Sequence, residues 1–114
     1  MAVAVNTSGS QSAAVGTEHD LATVTTAKVL QLVVDASAMT NGASPDTMDV
    51  LELRIYGKAR TGDTERLLYV ASFLGPQQEA LKASLAVVSP HHARFTLKQT
   101  AGTGRAFPWA VYEL

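Results

Sequence analysis

From Glu18 onward, apolar and polar residues alternate in short runs separated by turn-forming residues, the pattern of antiparallel strands with one face buried. Lys28 to Asp35 sets Leu30, Leu32 and Val34 on one face and Val29, Gln31, Val33 and Asp35 on the other. Met48 to Lys58 does the same with Leu51, Leu53 and Ile55 against Glu52, Arg54, Tyr56 and Lys58. His92 to Thr100 alternates Ala93, Phe95, Leu97 and Gln99 with Arg94, Thr96 and Lys98. Leu21 to Thr26 is a further β-rich run, and Ala80 to Val88 reads as a weaker strand with a helical alternative. Glu65 to Leu74 is apolar on both faces, which predicts a central strand. Arg105 to Leu114 puts Phe107, Trp109 and Val111 on one face, so Trp109 is expected in the core. Pro108 cannot donate to a ladder and predicts an edge strand or a bulge.

Breaks fall where turn chemistry demands them: Asn41-Gly42 and Ser44-Pro45-Asp46, Ala59 to Thr64, Gly75-Pro76, Ser89-Pro90, and Ala101 to Gly104. Seven or eight strands joined by turns at this spacing predict an all-β, single-domain antiparallel sandwich or jelly roll over residues 18–114. At 114 residues, one core suffices, since a chain of this size buries roughly 65% of its unfolded surface.

Residues 1–17 differ from the rest. Met1 to Thr17 has no charged side chain and few large ones, which predicts an extended, flexible N-terminal arm. Its apolar start ends at Asn6, too short for the h-region of a secretory signal. Two readings stand: a frayed end, or an arm that pairs its backbone with an exposed strand of a neighbouring subunit, anchored by Val3, Val5 and Val15. On either reading, deleting residues 2–15 is expected to leave the melting temperature almost unchanged.

Composition narrows the chemistry. No apolar run reaches the ~18 residues of a membrane span. Absence of cysteine excludes thiolate metal sites and thiol nucleophiles. His91 and His92 are adjacent, so on a strand they point to opposite faces and cannot chelate together; no metal and no cofactor is expected, and His91 and His92 read as exposed loop residues. No Gly-x-Ser-x-Gly elbow is present, Ala101 to Arg105 lacks the ending of a phosphate loop, and Asp63 and Glu65 flank a turn as solvated charges. An enzyme is therefore not expected.

The net charge of −1 is unevenly placed, −4 over residues 1–50 and +3 over residues 51–114. A basic surplus sufficient for nucleic acid is missing. Charge complementarity between copies is the functional reading, with Arg54, Lys58, Arg60 and Arg105 as the candidate interface cations beside the three valines. Outward Tyr56, Tyr69, Tyr112 or Trp109 would be needed for a sugar-stacking platform, a weaker reading.

The runs Gly16 to Val24, Leu51 to Tyr56 and, most specifically, Leu97 to Trp109 (LKQTAGTGRAFPW) resemble small β-rich structural proteins of tailed bacteriophages. The resemblance implies a non-enzymatic virion protein, foremost a capsid cement or decoration protein on the capsid surface, made in the host cytoplasm. Its implied partners are the major capsid protein and other copies of itself, a homo-oligomer such as a trimer, with no nucleic acid and no membrane. A head–tail connector, a tail or fibre-associated protein, and a carbohydrate-binding module are the alternatives.

Overall fold

Alternation is realised as two antiparallel sheets packed face to face. A computed structural model describes residues 3–42, 47–89 and 91–114, which hold nine strands and no α-helix. The strands are β1 (Ala4–Ser12), β2 (Glu18–Val24), β3 (Lys28–Asp35), β4 (Val50–Gly57), β5 (Arg66–Leu74), β6 (Leu81–Ala83), β7 (Val87–Ser89), β8 (Ala93–Ala101) and β9 (Ala106–Glu113). The first sheet runs β1-β9-β3-β6, with β7 also on β3; the second runs β2-β8-β4-β5. Pairs are nested along the chain: β4 with β5 innermost, then β3 with β6 and β7, β2 with β8, and β1 with β9 outermost.

The predicted inward residues build the core. Leu30, Leu32, Val34, Phe107 and Val111 from the first sheet meet Leu51, Leu53, Ile55, Phe95 and Leu97 from the second, none more than 1% exposed. Each such side chain contributes roughly 1.5–3 kcal/mol by leaving water. Trp109 packs against this core as its parity with Phe107 implied, and its indole covers Gly9 of β1, where an added Cβ would lie 3.4 Å from the ring. The Ser44-Pro45-Asp46 turn, the Pro90 stop and the first two residues of the arm lie outside the described residues.

Four expectations are corrected. Residues 4–12 are not a free arm: they form β1, paired from Ala4 to Ser12 with Glu113 to Ala106 of β9. The pairing rests on backbone hydrogen bonds, so the absence of large side chains did not prevent it. Second, β5 is not central but ends its sheet, and its outward apolar residues are exposed: Val70 49%, Leu74 62%. Third, β9 is not an edge strand, since it lies between β1 and β3. Its pairing to β3 runs only from Trp109 to Glu113, so Pro108 has a neighbour on the β1 side alone, opposite Ser10. Fourth, residues 80–88 form two short strands on opposite halves of β3. Buried Ser84 separates them: its hydroxyl accepts the Leu32 N–H at 3.0 Å and donates to the Leu85 carbonyl at 2.8 Å, standing in for a strand partner. The split of residues 80–88 and the strand made by the arm raise the count above the expected seven or eight.

Candidate interaction surface

The two outer faces of the sandwich differ in chemistry. On the second sheet, cross-strand registers place Glu18 and Asp20 of β2, Arg94, Thr96 and Lys98 of β8, and Glu52, Arg54 and Tyr56 of β4 side by side. Apart from Lys98, which makes no ion pair among the described residues, these groups satisfy one another. The Tyr56 hydroxyl donates to Glu18 at 2.7 Å, as does the Thr96 hydroxyl at 2.6 Å, and Arg54 pairs with Glu52. Burial pushes the Glu18 carboxyl up, but the Thr96 and Tyr56 hydroxyls and the Arg54 and Arg94 guanidiniums outweigh it and hold it below its ordinary value. Arg94 stacks over the Tyr56 ring at 4.3 Å and ion-pairs with Asp20 and Glu65.

Glu65 sits at the foot of this lattice, between Arg94 and His92, whose Nε2 lies 2.6 Å from its carboxylate. Arg94 holds the Glu65 carboxyl down to about 2 against the opposing effect of burial, with His92 adding to the lowering. A folded pKa below the unfolded one, about 4.3, contributes stability above that value that is lost as pH falls through the folded pKa. The urea midpoint of the wild type is therefore expected to fall between pH 5 and pH 2 more steeply than that of Glu65→Gln. The two curves should converge at the acid end; parallel curves would mean that Glu65 is not held by its cations.

On the first sheet the outer face is almost uncharged. Register places Val5 of β1, Ala110 and Tyr112 of β9, Val29, Gln31, Val33 and Asp35 of β3, Leu81 of β6 and Val88 of β7 on it. Asp35 is its one ionised side chain among the described residues, and it is folded back to accept the Ser37 N–H at 2.9 Å, which keeps its carboxyl below the ordinary value. Val33, Asp35, Leu81, Pro108, Ala110 and Tyr112 line a shallow depression of about 260 Å³ there. Val88 and Leu81 stand 69% and 65% exposed.

The residues chosen from the sequence as an interface are not brought together. Val3, Val5 and Val15 are exposed, but the first two lie at the start of β1 and the third lies beyond its far end. Arg54 lies in the second-sheet lattice, on the other side of the molecule. Arg60 is closed on Asp63 by two bonds of 3.0 and 3.1 Å. Arg105 does not wait for an acidic partner on another copy: it donates to Asp49 at 2.8 Å within its own chain. Lys58 makes no ion pair among the described residues and lines a pocket of about 440 Å³ with Arg66, Leu68, Val88 and His92. Of the aromatics that a sugar platform would need, Tyr56 is engaged in the ion lattice and Tyr69 and Trp109 pack against the core, while Tyr112 lies on the outer face of the first sheet.

The histidines differ from their expected reading as well. His91 and His92 are half-buried rather than exposed, and His19 Nε2 accepts the Ala14 N–H at 3.1 Å. Among the described residues, no group of three or more His, Asp or Glu side chains is placed to hold a metal ion.

A feature that the sequence did not single out is Asp49, fully buried at one end of the sandwich. Its Oδ1 accepts the Thr103 N–H at 2.9 Å, and its Oδ2 accepts the Thr40 N–H and Arg105 Nε, each at 2.8 Å. The Asp49 carbonyl also accepts the Gly75 N–H at 2.7 Å. One residue thereby ties the connections after β3, β5 and β8. Gly102, at φ +92°, passes so close to the carboxylate that a Cβ there would collide with it. This cluster is saturated with internal bonds, so it shapes the loop end rather than offering a site. No protein-family model matches the chain, and comparison with curated proteins and with solved structures finds no match either.

Proposed function

We propose that this chain is a non-enzymatic structural protein of a bacteriophage particle, a cement or decoration subunit bound to the shell of the major capsid protein. The placement in a virion comes from the sequence resemblance through Leu97 to Trp109. The observation that carries a binding role is the nearly uncharged outer face of the first sheet, with Val29, Leu81 and Val88 open to solvent. Docking desolvates apolar area there without stripping ions of water, whereas the opposite face would have to give up paired charges. The nested strand order supports a jelly-roll reading, an architecture that serves capsid and lectin domains alike. Because a fold hosts many activities, the weight falls on the face and not on the architecture.

The test is sedimentation of the purified protein with capsids assembled without it, followed by heating of loaded and bare shells. Saturable co-sedimentation and a higher disruption temperature are expected. Leu81→Glu, a change at a well-exposed position away from β5, should abolish both while leaving the circular dichroism of the free protein unchanged. Shells that take up no protein would sink the capsid reading, and binding to purified tails or to a glycan array would then decide among the alternatives.

A further inference from the structure

Every open sheet carries free backbone donors and acceptors along its two edges, and proteins that remain monomeric blunt them. Four edges exist here, and three are blunted. β1 is small and polar, contains Gly9 and has an irregularity between Val5 and Thr7. β2 carries Glu18, His19 and Asp20 and a bulge between Asp20 and Ala22. The β6 and β7 edge is broken into two strands of three residues each. β5 has none of these devices along Tyr69–Leu74. It is nine residues long, has no proline and no glycine, and its one charge, Arg66, is at its start. Its irregularity opposite Ile55 and Tyr56 falls at Leu68, which leaves the stretch after it regular. Beyond its ladder to β4, the one further acceptance by a β5 backbone carbonyl among the described residues is at Leu74, from the Gln77 amide at 3.0 Å.

We propose that β5 is an assembly edge, and that its occupant is β5 of a second copy, paired antiparallel about a two-fold axis in the Val70–Ser72 stretch. The second copy follows from two properties. The unblunted edge of one molecule finds its match only in the same edge of another, and such an isologous contact closes at two. The ends of the strand are also complementary in charge. Antiparallel pairing brings the Arg66 end of each copy beside the 75–80 turn of the other, whose single charge is Glu79, and neither residue makes an ion pair among the described residues. Pairing joins the second sheets of the two copies into one continuous eight-stranded sheet. Val70 and Leu74, exposed in the single chain, then gain cross-strand neighbours on its outer face. The pairing stands on the fold alone and leaves the first-sheet face free, so it holds or fails independently of shell binding.

Analytical ultracentrifugation of the full chain should show a concentration-dependent equilibrium that saturates at the mass of two chains. Val70→Lys, at a half-exposed position, should weaken that dimer by on the order of a hundredfold, since it brings two like charges together across the axis. Its circular dichroism should match that of the wild type. The chain has no cysteine, so any disulfide formed by a single introduced cysteine joins two copies. Val70→Cys, Ala71→Cys and Ser72→Cys are oxidised separately, and the residue on the axis should give a covalent dimer. A wild type that stays monomeric at every reachable concentration overturns the proposal and leaves β5 to an extended segment of another protein. A trimer or larger assembly, a Val70→Lys variant that dimerises as the wild type does, or three variants that never crosslink would each overturn it too.

Discussion

Asp49→Ala is expected to lower stability by about 3 kcal/mol, the low end of the range for removing one partner of a buried ion pair, because the Arg105 side chain keeps 29% of its surface open to water. The loss comes from what stays behind. Without the carboxylate, the Arg105 guanidinium, the Thr40 and Thr103 N–H groups and the Gln99 amide lose a fully buried acceptor. Removing a partner leaves each of them to bear its own desolvation cost, which is why the whole exceeds a simple count of bonds. In a domain of this size such a loss lowers the melting temperature by at least about 12 °C. Thermal melts at pH 7 and urea titrations measure it, and an unchanged urea slope would show that the variant still unfolds from a native-like state. A melting temperature within a degree or two of the wild type would refute a structural role for Asp49.

Asp49→Asn separates charge from shape. The amide keeps the size but has one acceptor oxygen for donors that the carboxylate serves with two, and it leaves Arg105 without a counterion, so a loss approaching that of alanine is expected. Protonation asks the same question by another route. Burial pushes the Asp49 carboxyl up, but the Thr40 and Thr103 N–H groups and Arg105 outweigh it, so its folded pKa lies below the ordinary value. Its stabilisation is therefore present above the unfolded pKa, near 3.9, and disappears as pH falls through the lower folded value. A wild-type acid transition that the Asp49→Asn variant lacks in part is the expected sign.

What was legible in the chain followed from side-chain alternation. β3 and β4 each have one buried face, as does β8 apart from its outward but buried Thr96, and their inward residues could be named because period two allows only one assignment. β5 misled for a physical reason: an apolar residue on an outer face reads as buried whether it meets a neighbouring element or stands open at an edge. The difference between those cases is strand order, which no local pattern contains. Arg105 misled in the same way. Its partner Asp49 lies 56 positions away, and the Ala101 to Gly104 turn that brings them together is informative only once the nesting of β4 and β8 is known. The N-terminal segment was missed because its contribution is made by backbone and by a ring from elsewhere, Trp109, over a glycine.

That last miss has a measurable consequence. A chain beginning at Ala13 is expected to melt about 10 °C or more below the full chain, a shift corresponding to roughly 2 kcal/mol. β9 would lose its outer neighbour along its whole length, Glu113 would lose the Asn6 amide that donates to it at 2.7 Å, and Trp109 would lose the floor that Gly9 provides. The shortened protein would also expose β9 as a new edge rich in apolar residues, Phe107, Trp109 and Val111 among them, so it should aggregate more readily on heating. A frayed terminus predicts the opposite, an unchanged melting temperature and unchanged solubility. β5 lies in the other sheet, so a truncated chain that folds should still dimerise through it. Loss of dimer together with an unchanged melting temperature would mean that residues 3–12 act between copies rather than within one, and that β1 is contributed by a neighbour.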